Sequence, residues 1–257
     1  KIYNSYTVIN TKGYKKINKI TIMKLSKDGK TVTDSKIDIN CDCLGVSGGW
    51  TPAVHLFTQS GGKLKFDDND NIFIPNKYPS DQLSIGSCNG NLELDDIISN
   101  INESLKNFLK IGKTNFENLK INSSKSISRR NIWLLPSNKT VSKTKAFVDF
   151  QNDATAKDIK LALREGFRSI EHVKRYTTTG MGTDQGKLGN MNALGIISDT
   201  SNVKMSDLGT TTFRPPYTPL TFGTIVGRNV GEFFDAFRKT PMYDWHVQHK
   251  AKFENVG

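Results

Sequence analysis

The chain has 257 residues, a net charge of +11 and 36% hydrophobic residues, which is enough for about two domains of ~100–200 residues each. No apolar run reaches the ~20 residues of a membrane-spanning helix, and no signal-peptide pattern opens the sequence, so we expect a soluble cytoplasmic protein. The lysines are scattered and no aromatic stripe accompanies them, which leaves nucleic-acid binding a minority hypothesis. Because the first residue is not methionine and the chain stops directly after another apolar and aromatic segment, the sequence is interpreted as an internal fragment.

The first 46 residues are predicted to be extended. The opening residues read as a strand, and residues 14–46 as a hairpin that turns at Lys27 to Gly29. Cys41 and Cys43 would then share one strand face. Two small core or half-core residues are favoured over a metal pair, and the three sparse cysteines of the chain suit a reducing compartment.

Two glycine turns followed by helices come next. Ser47, Gly48 and Gly49 are expected to form a tight turn, after which Pro52 starts a helix whose N-terminus would favour an anion. Residues 82–109 repeat the order of strand, glycine turn and helix. The second helix is strongly predicted, because one apolar stripe runs along it: Leu94, Ile97, Ile98, Ile101, Leu105 and Phe108.

The segments that flank this second unit are simpler. Between the two units, residues 61–75 are predicted to form a hairpin with an acidic turn at Asp67 to Asp70, which lacks the glycine and distal glutamate of an EF-hand. Residues 110–144 read as a polar connector with one apolar anchor at residues 132–136. Within it, Arg129 and Arg130 would be a phosphate clamp or, more simply, a solvated pair.

Residues 145–192 are densest in cap, turn and charge signals. Thr155 and Asp158 predict a capping box for a helix that ends at Gly166, and Ser169 is expected to begin a second helix. Lys174 and Arg175 would lie at its C-terminal, dipole-negative end. The glycine-rich loop GMGTDQGKLGN then allows close approach to a ligand.

The C-terminal part is predicted to be an extended strap followed by short helical turns. Residues 207–227 are rich in proline and threonine and should be partly polyproline-like, and residues 232–237 form an amphipathic turn. His246 and His249 have metal-ligand spacing, but packing beside Trp245 is favoured because no third ligand is in view.

Several long phrases resemble the alpha subunit of heterotetrameric sarcosine oxidases: CDCLGVSGGWTPAVHL, SIGSCNG, FVDFQND, REGFRSIEHVKRYTTTGM, TDQGK and TTFRPPYTP. The resemblance implies an α/β fold plus a small α domain. Its parts would be the end of a dinucleotide-binding flavoprotein-like domain (1–109), a linker (110–144), a small helical domain resembling iron–sulfur domains (145–205), and the start of an aminomethyltransferase-like folate domain (206–257).

The resemblance also implies cofactor sites. Relatives of the small domain hold an iron–sulfur cluster with cysteines, and the corresponding positions here are Asp149, Gln151, Asp184 and Gly189, so we expect no cluster and no metal. NAD is expected along the second glycine turn, at Gly86, Ser87, Asn89, Gly90 and Leu92, although strand-to-helix packing would explain these glycines equally well. An interface FMN is expected at Lys174, Arg175, Thr178, Gln185 and Lys187, unless the two cations only complement a helix end. Tetrahydrofolate would bind mostly beyond residue 257.

The implied function is oxidative demethylation of sarcosine, with glycine, hydrogen peroxide and formaldehyde or methylenetetrahydrofolate as products. In such enzymes amine oxidation occurs on the beta subunit, so no catalytic residue is expected in this chain, which would be inactive without its beta, gamma and delta partners. Two alternatives stay open: the large subunit of N-methylglutamate dehydrogenase, or a noncatalytic scaffold that binds partner subunits. Neither nucleic acid nor membrane is an expected partner.

Overall fold

The computed structural model describes residues 1–79, 81–110, 131–137, 140–228, 230–231 and 238–254. The chain divides between Thr218 and Pro219 into a larger unit 1 and a smaller unit 2. The predicted segment boundaries at residues 109, 144 and 205 stay a prediction.

An antiparallel three-stranded sheet opens unit 1. Its strands are β1 (Tyr6–Gly13), β2 (Ile17–Lys24) and β3 (Ile37–Asn40), and β2 lies in the middle. The predicted opening strand and hairpin are therefore confirmed. The predicted strand position of Cys41 and Cys43 was wrong, because β3 ends at Asn40; Cys41 is half-buried, whereas Cys43 is exposed.

The first glycine turn also differs from its prediction. Residues 43–54 have no regular secondary structure, and helix α1 (His55–Gln59) begins three residues after Pro52. The start of α1 is fixed by burial rather than by the proline, since Val54 and Phe57 are both buried and the Phe57 ring packs against Gly62.

The acidic hairpin is confirmed as β4 (Lys63–Asp67) and β5 (Ile72–Lys77). The Asp67 carboxylate accepts hydrogen bonds from the N–H groups of Asn69 and Asp70, at 2.8 and 3.3 Å, so its role is to close the turn. The strand predicted just after Gln82 was wrong: residues 82–85 pair with no strand and lead into a 3-10 helix, Gly86–Asn89.

Helix α2 (Leu94–Leu109) is confirmed, with Asp95 and Asp96 in its first turn, where they complement the helix dipole. None of its residues is buried. The apolar stripe is therefore only partly covered by the part of the chain that the structure describes.

The best-packed region is the small helical part of unit 1. A short hairpin of β6 (Phe147–Asp149) and β7 (Ala154–Thr155) leads into α3 (Ala156–Arg164), α4 (Ile170–Thr177), α5 (Asn190–Ser201) and α6 (Met205–Leu208). Its largest fully buried side chains are Ile159, Val173, Leu194 and Ile197. Their burial on facing sides of α3, α4 and α5 supplies the main hydrophobic stabilisation of this region.

The predicted helix signals in this region are confirmed. Thr155 and Asp158 form the capping box of α3, in which the Asp158 carboxylate accepts from the Thr155 N–H at 2.8 Å. Glu165 is the C-cap just before Gly166, and Ser169 is the N-cap of α4. Lys174 and Arg175 lie in the last turn of α4, as expected.

Unit 2 contains α7 (Phe222–Val226) and α8 (Tyr243–Gln248), neither of which has a buried residue. The predicted turn at residues 232–237 and the arginine pair Arg129 and Arg130 lie outside the described residues.

All strand pairs in the described ranges are antiparallel. The α/β composition with a dinucleotide-binding part thus remains a proposal. No helix in these ranges is long and apolar enough to cross a membrane.

Candidate functional site

The candidate site is the glycine-rich loop of residues 178–190, which connects α4 to α5. Thr178 ends α4 in the left-handed conformation, and Gly180 and Gly186 both have φ of +73°. A Cβ on Gly186 would overlap the Asn190 side chain, so only glycine fits there. Glycine thus allows the loop to fold back tightly onto the first turn of α5.

Asp149 ties this loop to the β6–β7 hairpin. Its carboxylate accepts hydrogen bonds from the N–H groups of Gln151 at 2.9 Å, Asn152 at 3.0 Å and Gly180 at 2.7 Å. Asp149 is buried, with a relative exposure of only 5%. Burial alone would raise the pKa of Asp149, but the three N–H groups outweigh it and hold that pKa below the ordinary 3.8.

Gln151 makes the second link between the hairpin and the loop. Its Oε1 accepts from the Asp184 N–H at 3.2 Å, and its amide lies 3.2 to 3.3 Å from the Thr183 hydroxyl. The loop closes on itself where the Asp184 carboxylate accepts from the Gly186 N–H at 3.1 Å.

The four positions at which related domains would carry cysteines are therefore neighbours in space. Asp149, Gln151 and Asp184 share one hydrogen-bond network with the loop, and Gly189 packs so closely on the Val148 carbonyl that a Cβ would overlap it. No group of three His, Cys, Asp or Glu side chains within the described ranges is placed to hold a metal ion. The expected absence of a cluster stays a prediction.

Gln185 holds residues 211–217, which are part of the predicted strap, against the loop. Its amide nitrogen donates to the carbonyl oxygens of Arg214 at 2.7 Å and Pro216 at 3.1 Å, while its Oε1 accepts from the Arg214 N–H at 2.7 Å. The side chain thus pairs with the strap as a neighbouring strand would, at a segment whose two prolines, Pro215 and Pro216, cannot donate. All the polar atoms of this predicted FMN residue are engaged within the protein.

Tyr217 lies between two groups that sequence reasoning did not bring together. The His55 ring stacks on it at 3.8 Å with an interplanar angle of 9°, and the Lys187 ammonium lies 4.0 Å from its centroid. The His55 ring and the Lys187 ammonium cannot both lie so close to one face of the Tyr217 ring, so they occupy its opposite faces. Burial, followed by the nearby Asp184 carboxylate, raises the pKa of Tyr217 above its ordinary value.

His55 is affected by the same arrangement. Burial, followed by the charge of Lys187, lowers the pKa of His55, so the neutral imidazole is favoured. Its Nδ1 is buried and has no hydrogen-bond partner among the described residues. An aromatic residue within the PPYTP phrase was the only sequence signal for this stack, and nothing in the sequence indicated that α1 would meet it.

The other predicted FMN residues lie at the C-terminal end of α4. Arg175 is 61% exposed and lies 3.6 Å from Glu171, whose carboxylate also accepts from the strap N–H of Thr212 at 3.2 Å. The hydroxyl of Thr178 donates to the Thr177 carbonyl at 2.6 Å. Lys174 is half-buried and forms no ion pair with any residue in the described ranges.

The predicted NAD residues surround the 3-10 helix Gly86–Asn89. Gly86 and Gly90 both have positive φ, and a Cβ on Gly90 would press on the Ile74 side chain at 2.7 Å. The Asn89 side chain accepts from the Tyr78 hydroxyl at 3.0 Å, whereas Ser87 is exposed and Leu92 is half-buried. Turn geometry and packing on β5 therefore account for these glycines without a ligand.

The predicted packing of His246 and His249 beside Trp245 is confirmed. The His249 ring stacks on Trp245 at 3.9 Å and its Nδ1 lies 2.8 Å from the Trp245 carbonyl, while the His246 ring meets the indole at 82°.

Comparison with known proteins shows what this chain is similar to. Residues 143–228, which include the loop and the strap, match the family described as the sarcosine oxidase A3 domain. The chain is 37% identical to sarcosine oxidase subunit alpha of Rhizobium meliloti (strain 1021) over 97% of its own length and 24% of that protein. It is also 37% identical to the subunit of the same name from Corynebacterium sp. (strain U-96) over 84% of the chain and 23% of that protein.

A solved structure gives a likeness of fold. L-proline dehydrogenase from P. horikoshii superposes with a TM-score of 0.54 at 19% identity, covering 86% of this chain and 44% of the other. The chain spans about a quarter of the length of the curated relatives it matches. Residues 143–228 are therefore similar to the sarcosine oxidase A3 domain, and nearly all of the chain is similar to sarcosine oxidase alpha subunits.

Proposed function

We propose that this chain is part of the alpha subunit of a flavin-dependent, heteromeric sarcosine oxidase. The observation that carries the proposal is the 37% identity to an alpha subunit over 97% of the chain. In the proposed reaction sarcosine, oxygen and water give glycine, formaldehyde and hydrogen peroxide, and tetrahydrofolate, when present, would take the one-carbon unit as methylenetetrahydrofolate. The enzyme would work in the cytoplasm.

The role of this chain in that reaction is to position cofactors and partner subunits. Amine oxidation belongs to the beta subunit, with gamma and delta subunits completing the assembly, so no catalytic residue is assigned here. The cofactor carries the redox chemistry, and the protein supplies binding and orientation.

The proposed FMN contacts rest on side-chain cations rather than on loop N–H groups. Five loop N–H groups already donate hydrogen bonds within the chain: those of Gly180, Asp184, Gln185, Gly186 and Lys187. Lys174 and the exposed Arg175 remain suited to the FMN phosphate, because cationic donors pair with phosphate oxygens in charge-assisted hydrogen bonds. Gln185 then acts as a positioning residue that holds the strap. The Lys187 ammonium lies over the Tyr217 ring.

The other cofactors are proposed more simply. NAD would lie along Gly86–Leu92, where the exposed Ser87 hydroxyl is the available polar side chain. Tetrahydrofolate would contact mainly residues beyond 257.

The deciding experiment is co-expression of the polypeptide that carries these residues with candidate beta, gamma and delta subunits. We expect the purified complex to release hydrogen peroxide with sarcosine and to retain flavin. A matched assay with N-methylglutamate and a dye acceptor separates the nearest alternative. A stable complex that turns over neither substrate would support the scaffold hypothesis and contradict the proposal.

A further inference from the structure

A polar cavity lies in unit 1, apart from the residues assigned to any cofactor above. It has a volume of about 740 Å³, within the ~300–1,000 Å³ typical of small-molecule sites. The β2–β3 loop, residues 131–134, helix α3 and the C-terminal end of α5 with the segment after it form its walls. None of its lining residues belongs to the loop of residues 178–190 or to the turn at Gly86–Asn89.

Three lysines from different elements line this cavity: Lys30, Lys160 and Lys204. None of their ammonium groups forms an ion pair with a residue that the structure describes. Two carboxylates also line it, but that of Asp28 already accepts from the Ser26 hydroxyl and from the Lys30 N–H at 3.0 Å. The three lysines outnumber the two carboxylates by one, so the lining has a net positive charge that favours an anion.

An aromatic wall accompanies the lysines. The Trp133 indole lies directly on the backbone of α5 at Gly195, where any Cβ would overlap the ring. This contact fixes the ring, and the indole lines the cavity beside Leu134 and Ile196. A fixed aromatic ring next to lysines suits a ligand that combines a planar ring with phosphate groups, because the ring can stack or pack edge-on while the lysines pair with phosphate.

Polar side chains complete the lining. Asn131, Asn202 and Asp199, which have amide and carboxylate side chains, are among the residues that line the same space. They can donate to or accept from the hydroxyl groups of a sugar. We propose that this cavity binds a nucleoside phosphate, with Trp133 against the base and with Lys30, Lys160 and Lys204 around the phosphates.

The test is calorimetric titration of the purified protein with ADP, adenosine and pyrophosphate. We expect ADP to bind, with an affinity that falls as salt is raised, and adenosine and pyrophosphate to bind at least about tenfold more weakly. The double variant K160A/K204A should weaken ADP binding about tenfold or more. The control variant K145A/K157A removes two exposed lysines outside the cavity, one of them on the same helix α3, and should leave the affinity unchanged.

The variant W133F separates the ring contact from the charge contact. It should weaken ADP binding while leaving pyrophosphate binding unchanged. Absence of ADP binding to the native protein, an equal loss in both lysine variants, or equal affinities for ADP and pyrophosphate would overturn the proposal. These outcomes are independent of peroxide release from sarcosine, so the proposed oxidase role is tested separately.

Discussion

At the scale of single residues, Asp149 has the most consequences. Its carboxylate joins the β6–β7 hairpin to the glycine loop through three N–H donors. Such hydrogen bonds to a charged group contribute about 1.5–3 kcal/mol each, less the cost of burying the charge. The Asp149 side chain thus contributes to holding the loop beside the hairpin, together with the second link that Gln151 makes.

We expect Asp149→Asn to destabilise the chain by about 2–3 kcal/mol, because the carboxamide presents one acceptor where the carboxylate presents two. Denaturant unfolding monitored by circular dichroism measures the change. Asp153→Asn is the matched control, since Asp153 is exposed and already adopts the left-handed conformation that asparagine tolerates. Equal midpoints for the two variants would contradict the assigned role.

The same residue predicts a pH dependence. The folded pKa of Asp149 is lowered from 3.8, so its contribution is complete above the unfolded pKa and is lost as pH falls through the folded value. The native protein should therefore lose part of its advantage over Asp149→Asn as the pH is lowered below about 4.

At the scale of elements, helices α2 and α5 have different surroundings. Helix α5 buries Ile196 and Ile197 in the core, whereas α2 has no buried residue despite its regular apolar stripe. Periodicity identifies the apolar face of a helix, but only the fold decides whether another element covers that face.

We expect Ile197→Ala to cost about 2–5 kcal/mol and Ile98→Ala less than about 1 kcal/mol in this chain, because only the first leaves a cavity in a closed core. Unfolding midpoints of the two single variants measure the difference. Comparable losses would show that the α2 stripe is covered in solution.

At the scale of the whole molecule, the proposed flavin contacts can be tested only in the assembled oxidase. We expect Lys174→Ala with Arg175→Ala to lower the FMN content and the turnover with sarcosine at least about tenfold, since charge-assisted contacts to the phosphate are removed. Lys157→Ala with Arg164→Ala is the control, because it deletes a lysine and an arginine that are exposed on α3. Unchanged FMN content in the first variant would mean that both cations serve only the end of α4.

Much of unit 1 is determined by the sequence alone, because its signals are local. The capping box at Thr155 and Asp158, the end of α3 near Gly166 and the acidic hairpin turn each depend on residues a few positions apart. The resemblance to alpha subunits likewise rests on continuous phrases within residues 143–228 and on the segments that precede them.

Only the tertiary structure decided how distant segments share the loop of residues 178–190. Gln185 meets the strap 29 residues later, and His55 stacks on Tyr217 from another part of the chain. It also decided that Cys41 and Cys43 lie beyond β3 and that the glycines near residue 88 serve a 3-10 turn. Local propensity and periodicity carry no information on which surfaces meet, since that depends on packing between residues far apart in sequence.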